Sequence, residues 1–169
     1  DYEYLDDYHD IFTSLFHITT GANNSILITG KYNDAGFNTG SIYVANLADD
    51  GSLDNTFGQN GFAPLTTLYG SSSETGKIIR QPDGKIVVAY LVNDLFSFSG
   101  NTTLLIQRLT ATGQPDASFG IGGRVLYNSN FISPDSDLEI FDLKTAPNGK
   151  IGVLVLVEDP ANDLFTTSY

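Results

Sequence analysis

Cysteine is absent from this 169-residue chain, and so is methionine. The first absence removes disulfides, thiolate metal sites and cysteine nucleophiles. It leaves the compartment open, because a large core needs no covalent staples. The second absence extends to position 1, which is Asp1, and gives the expectation that the chain is a processed or excised piece of a longer product. Basic residues are scarce: 8 Lys and Arg stand against 20 Asp and Glu, for a net charge of -12. A surface of that sign repels phosphate backbones and anionic headgroups, which argues against nucleic acid and bare membrane and favours cations or basic surfaces. No apolar run approaches the roughly 20 residues of a spanning helix, so direct membrane insertion is not expected. No basic segment followed by an apolar one opens the chain as a secretory signal would. The two histidines, His9 and His17, both lie near the start and no GxSxG elbow exists, which argues against a Ser-His-Asp hydrolase.

What is present is a repeat. "SIYVANLADDGSLDNTFGQNG" from Ser41 aligns without a gap to "TLLIQRLTATGQPDASFGIGG" from Thr103, 62 residues further on. Upstream, "SILITGK" from Ser25, "KIVVAYL" from Lys85 and "KIGVLVL" from Lys150 resemble one another, which adds a third, partial copy. Each copy offers β-branched and aromatic runs bounded by Gly, Pro, Asn and Asp, with no sustained helical periodicity, so the chain reads as all-β. Four strands, A to D, are expected per copy: near 12–20, 25–32, 41–48 and 61–69 in the first, and near 75–81, 85–92, 102–110 and 123–128 in the second. A four-stranded antiparallel sheet with two apolar faces cannot hide both alone, and copies stacked around an axis cover one another as the blades of a β-propeller do. The expected organisation is a single partial propeller of about 2.5 blades, part of a larger one. Residues 1–11 would be the last strand of a preceding blade, 12–69 the first blade, 70–128 the second and 129–169 half of the third.

The connections carry separable chemistry. "QPDGK" from Gln81 and "APNGK" from Ala146 are hairpin turns joining A to B, and Asn23-Asn24 stands there in the first copy because asparagine tolerates left-handed backbone. The B–C connection begins with Asn33-Asp34, Asn93-Asp94 and Asn162-Asp163, read first as Asx turns and second as a repeated cation site. In the C–D phrase, Gly51 and Gly113 permit a tight reversal. Asp54 and Asp116 accept backbone hydrogen bonds two residues on, and Phe57 and Phe119 are apolar anchors. "FGIGG" from Phe119 suggests a phosphate cradle, but such a cradle needs a following helix and "RVLYN" reads as a strand.

"QPDGKIVVAY", "LLIQRL" and "TGQPDASFGIGGRV" resemble the delta-60 repeat β-propeller family of bacteria, over residues 12–157 and most specifically in the second copy. The first copy lacks the Pro-Asp-Gly, and Tyr90 stands where the family has a glycine. The resemblance implies a propeller borne on bacterial extracellular or envelope proteins, with no established catalytic activity. The function expected is a non-catalytic scaffold or binding module for protein or glycan partners, its ring completed by further blades of a parent chain or by other copies. The alternative is a carbohydrate-active lyase or glycosidase, with Glu74 and Glu139 as paired carboxylates at matching positions near the start of strand A. "SPDSDLE" places Asp135, Asp137 and Glu139 at period two on one face of an extended strand, a candidate structural Ca²⁺ site whose simpler reading is an exposed acidic linker. Leu95, Phe96 and Phe98, with Leu164 and Phe165 in the third copy, are B–C loop hydrophobes that either tuck under a neighbouring blade or form a partner patch.

Overall fold

The computed structural model describes residues 14–32, 41–66, 76–93, 102–128, 137–159 and 162–168. Its strands are gathered into three antiparallel sheets, and the described residues contain no helix. Sheet 1 runs β1 (Ser14–Thr20), β2 (Ile26–Tyr32), β3 (Ser41–Leu47) and β4 (Phe62–Pro64), each paired to the next. Sheet 2 repeats that order with β5 (Gly76–Arg80), β6 (Ile86–Asn93), β7 (Thr102–Leu109) and β8 (Arg124–Asn128). Sheet 3 holds β9 (Asp137–Thr145), β10 (Ile151–Asp159) and β11 (Asn162–Ser168) in the order β9-β10-β11. Two expectations need correction. Residues 162–168 do not form a B–C loop: β11 pairs back on β10 and occupies the place of a strand C, with Asp159 opposite Asn162 at its turn end. Strand β4 is three residues long where nine were expected: its pairing on β3 runs from Phe62 to Pro64, and one further backbone bond follows, from the Leu65 N–H to the Ile42 carbonyl at 2.8 Å.

The turns follow the local chemistry. In the "QPDGK" and "APNGK" hairpins the Gln81 and Ala146 N–H groups donate to the Lys85 and Lys150 carbonyls, each at 2.8 Å. In sheet 1 the same reversal is made by Asn23 and Asn24, at φ 51° and 61°, the left-handed region that asparagine enters more readily than other side-chain-bearing residues.

Packing between sheets explains why β6, "IVVAYLVN", is a continuous apolar run rather than an alternating one. Ile86, Val88, Tyr90 and Val92 belong to one core cluster with Leu27, Ile42, Val44 and Ala63 of sheet 1. Val87, Ala89 and Leu91 belong to a second cluster with Ile140, Leu143 and Val153 of sheet 3. Successive side chains point to opposite faces, so the middle sheet is covered on both. Burying a large aliphatic or aromatic side chain contributes about 1.5–3 kcal/mol, and neither face of sheet 2 could be left in water at that cost. Across the sheets it is the first strands that meet: β1 lies against β5, and β5 against β9. This succession of antiparallel sheets, two of four strands and one of three, turned face to face along their first strands, is a propeller-blade arrangement. The sheets are called blades 1, 2 and 3 below.

Candidate functional site

The repeated C–D phrase builds the same backbone scaffold twice. Asp54 and Asp116 N–H groups donate to the Asn46 and Arg108 carbonyls at 2.9 Å, and Phe57 and Phe119 N–H groups donate to the Asp54 and Asp116 carbonyls at 3.0 Å. Each aspartate then caps the loop with its side chain. Asp54 Oδ1 accepts from the Thr56 N–H at 3.0 Å and the Thr56 hydroxyl at 2.6 Å; Asp116 Oδ1 accepts from the Ser118 N–H at 3.1 Å and hydroxyl at 2.7 Å. The second carboxylate oxygen reaches strand C, where the copies differ. Asp54 Oδ2 accepts from the neutral Asn46 amide at 2.9 Å. Asp116 Oδ2 instead accepts from Arg108 Nε at 2.7 Å and lies 3.2 Å from Lys85 Nζ, an ammonium brought in by the A–B turn. The Arg108 guanidinium in turn covers the Phe119 ring at 4.7 Å.

The electrostatics follow from that geometry. The Ser118 hydrogen bonds first, and the Lys85 and Arg108 charges with them, hold the Asp116 carboxyl well below the usual carboxylate range. The Thr56 hydrogen bonds lower Asp54 in the same direction. A carboxylate whose oxygens already accept from four donors, and whose protonation is disfavoured, is a poor general base. Asp116 ties together the A–B turn, strand C and the C–D loop of one blade.

The loops also join blade to blade. The Gly58 N–H donates to the Thr112 carbonyl of the next blade at 2.8 Å. Gly113, at φ +81°, lies against the Phe57 ring so closely that a Cβ there would stand 2.9 Å from Phe57 Cζ. The motif phenylalanine of blade 1 is thereby sealed under the turn glycine of blade 2, and Phe57 is buried with the first core cluster. Phe119, half-buried, packs against the second cluster in the corresponding place. Deeper in the first junction, the Tyr90 hydroxyl donates to the Thr66 carbonyl at 2.6 Å, with Gln107 Oε1 a second acceptor at 3.1 Å. Gln107 Oε1 also accepts from the Thr66 N–H at 3.0 Å. Burial pushes the Tyr90 phenol above its ordinary range. Near the first strands, His17 Nδ1 accepts from the Ile78 N–H at 3.4 Å; burial and then the Lys77 charge hold its imidazole below the usual value.

The residues singled out from sequence fall in different places. Glu139 is exposed on β9 and Asp137 begins that strand, while Asp135 and Glu74 lie outside the described residues. Among the described residues no three His, Cys, Asp or Glu side chains are grouped to hold a metal ion. Leu164 and Phe165 are in strand β11 rather than in a loop; Leu95, Phe96 and Phe98 lie outside the described residues. Asn162-Asp163 opens β11 and Asn93 closes β6, whereas Asn33, Asp34, Asp94 and His9 lie outside. "FGIGG" leads into β8, a strand, so it has no helix N-terminus for an anion. Sequence reasoning missed the Arg108–Lys85 pinning of Asp116. It also missed Tyr90 as a buried junction residue. The available signal was a tyrosine inside an unbroken aliphatic run, a place where a hydroxyl needs a partner.

Residues 81–119 match the family described as domain of unknown function (DUF5122) beta-propeller. The matched segment runs from the A–B turn of blade 2 to its motif phenylalanine, and so covers Lys85, Arg108 and Asp116 together. No curated protein and no solved structure matches the chain. The family match and the three face-to-face sheets agree on a β-propeller fold.

Proposed function

We propose that this β-propeller is a non-catalytic scaffold and binding module, exposed on or secreted from a bacterial cell, that presents its loops and outer strands to protein or glycan partners. One observation carries the reading: the polar side chains that recur in the described motif loops, Asp54 with Thr56 and Asp116 with Ser118, are saturated by the fold's own donors. The repeat thus spends its most regular charged chemistry on rigidity. Specificity then belongs to the residues that vary between blades, such as the exposed Ile121 at the loop tip and Tyr127 on β8.

The test pairs a glycan array with a panel of polysaccharide substrates, using the 169-residue chain. Binding that is reduced by Ile121→Ser or Tyr127→Ser, with no product released from any polysaccharide, is the expected result. Product release that disappears in Glu139→Gln or Glu74→Gln would replace the scaffold by a carbohydrate-active enzyme.

A further inference from the structure

Blades 1 and 3 each turn one face away from blade 2, and strand register shows what those faces are. Ile18, Ile78 and Leu143 pair with Ile28, Val88 and Val153, which hold the same place in the three copies of the second-strand run. The three residues therefore occupy one position. Ile78 and Leu143 are 0% and 2% exposed beneath the preceding blade, whereas Ile18 of blade 1 is 58% exposed. The opposite side of a blade gives a matching result. Phe16 is the extra residue in the register shift of β1 on β2, and Phe141 is the extra residue at the equivalent shift of β9 on β10. Phe16 reaches into the next blade, where its Cδ2 would stand 3.1 Å from a Cβ on Gly76. Phe141 is 63% exposed. The residue equivalent to Gly76 in blade 1 is Leu15, since Leu15 pairs with Gly30 as Gly76 pairs with Tyr90, and Leu15 is 64% exposed.

The outward face of blade 3 thus carries the forward half of the blade-to-blade contact, and the outward face of blade 1 carries the receiving half. We propose that a second copy of the chain covers both, blade 3 of each on blade 1 of the other, with Phe141 against Leu15 and Ile18 buried between. One partner satisfies both faces at once because it offers both apolar halves of a blade-to-blade junction. The Phe16–Gly76 contact itself is made only between blades 1 and 2, β5 carrying no extra residue, and Leu15 puts an apolar side chain where blade 2 has Gly76. Between two copies of these 169 residues the contacts are heterologous and repeat twice about a two-fold axis, and the six blades so arranged lie within the range of about 4–8 that propellers use. This inference rests on the reading of the sheets as propeller blades.

Sedimentation of the 169-residue chain tests it first: a single species of twice the 18.2 kDa chain mass is expected. Ile18→Glu and Phe141→Glu, both at exposed positions of the single chain, should each convert it to a monomer with an unchanged far-UV spectrum. Because the chain has no cysteine, Leu15→Cys and Phe141→Cys can then be oxidised separately and after being unfolded and refolded together. Disulfide-linked dimers are expected in the mixture and not in either variant alone. A monomeric parent with a β-sheet spectrum and a cooperative melt would overturn the second copy while leaving the blades intact. Cross-linking of either variant with itself would overturn the head-to-tail arrangement, and open polymers would overturn the closed ring. A parent without β structure would remove the blade reading as well.

Discussion

Gly51 and Gly113 occupy the same place in the two motif loops, with φ +85° and +81°, yet only one of them touches another blade. Alanine at either position meets the left-handed backbone cost, about 1–2 kcal/mol. At Gly51 nothing stands within 4 Å of the added methyl, so that cost is the whole effect. At Gly113 the methyl would meet Phe57 Cζ and the Gly58 nitrogen, each at 2.9 Å, and the forced separation adds roughly 1–3 kcal/mol as overpacking does elsewhere. The excess of Gly113→Ala over Gly51→Ala is thus a measure of the blade 1–blade 2 clasp, with the backbone term cancelled. Urea unfolding followed by far-UV circular dichroism reads it directly. In a melt it corresponds to a further fall of about 2–12 °C for a chain of this size. Phe57→Ala removes the ring at a cost of about 3–5 kcal/mol. In that background the Gly113 excess should shrink, giving a coupling of about 1 kcal/mol or more in the double-mutant cycle. Equal effects of the two glycine substitutions would refute the clasp, and an excess undiminished by loss of the ring would remove Phe57 from it.

Other outcomes follow from the same contacts. Asp116→Asn should destabilise by roughly 3 kcal/mol or more, because it strands Arg108 in a partly buried place, and Asp54→Asn by less, since its strand partner is the neutral Asn46. Asp116 is lowered in the fold, so its contribution is present above the ordinary carboxylate range and is lost as pH falls below it, which urea midpoints across the acid range will show. His17 behaves oppositely in origin and alike in direction. Its imidazole is held neutral, the unfolded chain takes up the proton first, and stability falls as pH drops below about 6.5. Comparing midpoints at neutral and mildly acid pH in His17→Gln should show a flatter dependence. Tyr90→Phe should cost about 1–3 kcal/mol by leaving the Thr66 carbonyl without its donor, measured by chemical denaturation. A calcium ion at Asp135, Asp137 and Glu139 would raise the melting midpoint of the parent and not of Glu139→Gln; a midpoint indifferent to calcium removes that site.

The all-β class and the strands of the first two copies were legible because their determinants are local. "QPDGK", "APNGK" and Asn23-Asn24 each set a turn within four or five residues, and the repeated aspartates bond two residues ahead. The failures came where a local signal was outweighed by pairing. Residues 162–168 begin with the Asn-Asp that was expected to open a loop, yet that pair stands at the start of a strand that turns back on β10 directly after Asp159. Strand β4 is shorter than expected, its last bond to β3 running from the Leu65 N–H to the Ile42 carbonyl.

By itself the sequence determined that the chain would make a repeated β unit, since period, turn residues and β-branched runs act over a few neighbours. Only the tertiary structure decided which face of each strand meets which blade: Ile78 and Ile18 are the same residue at the same register, one fully covered and one open. It likewise decided that Lys85 and Arg108, 23 residues apart in the chain, converge on Asp116. Burial and charge pairing of that kind depend on surfaces that come together after the strands have formed, and no short window of residues encodes them.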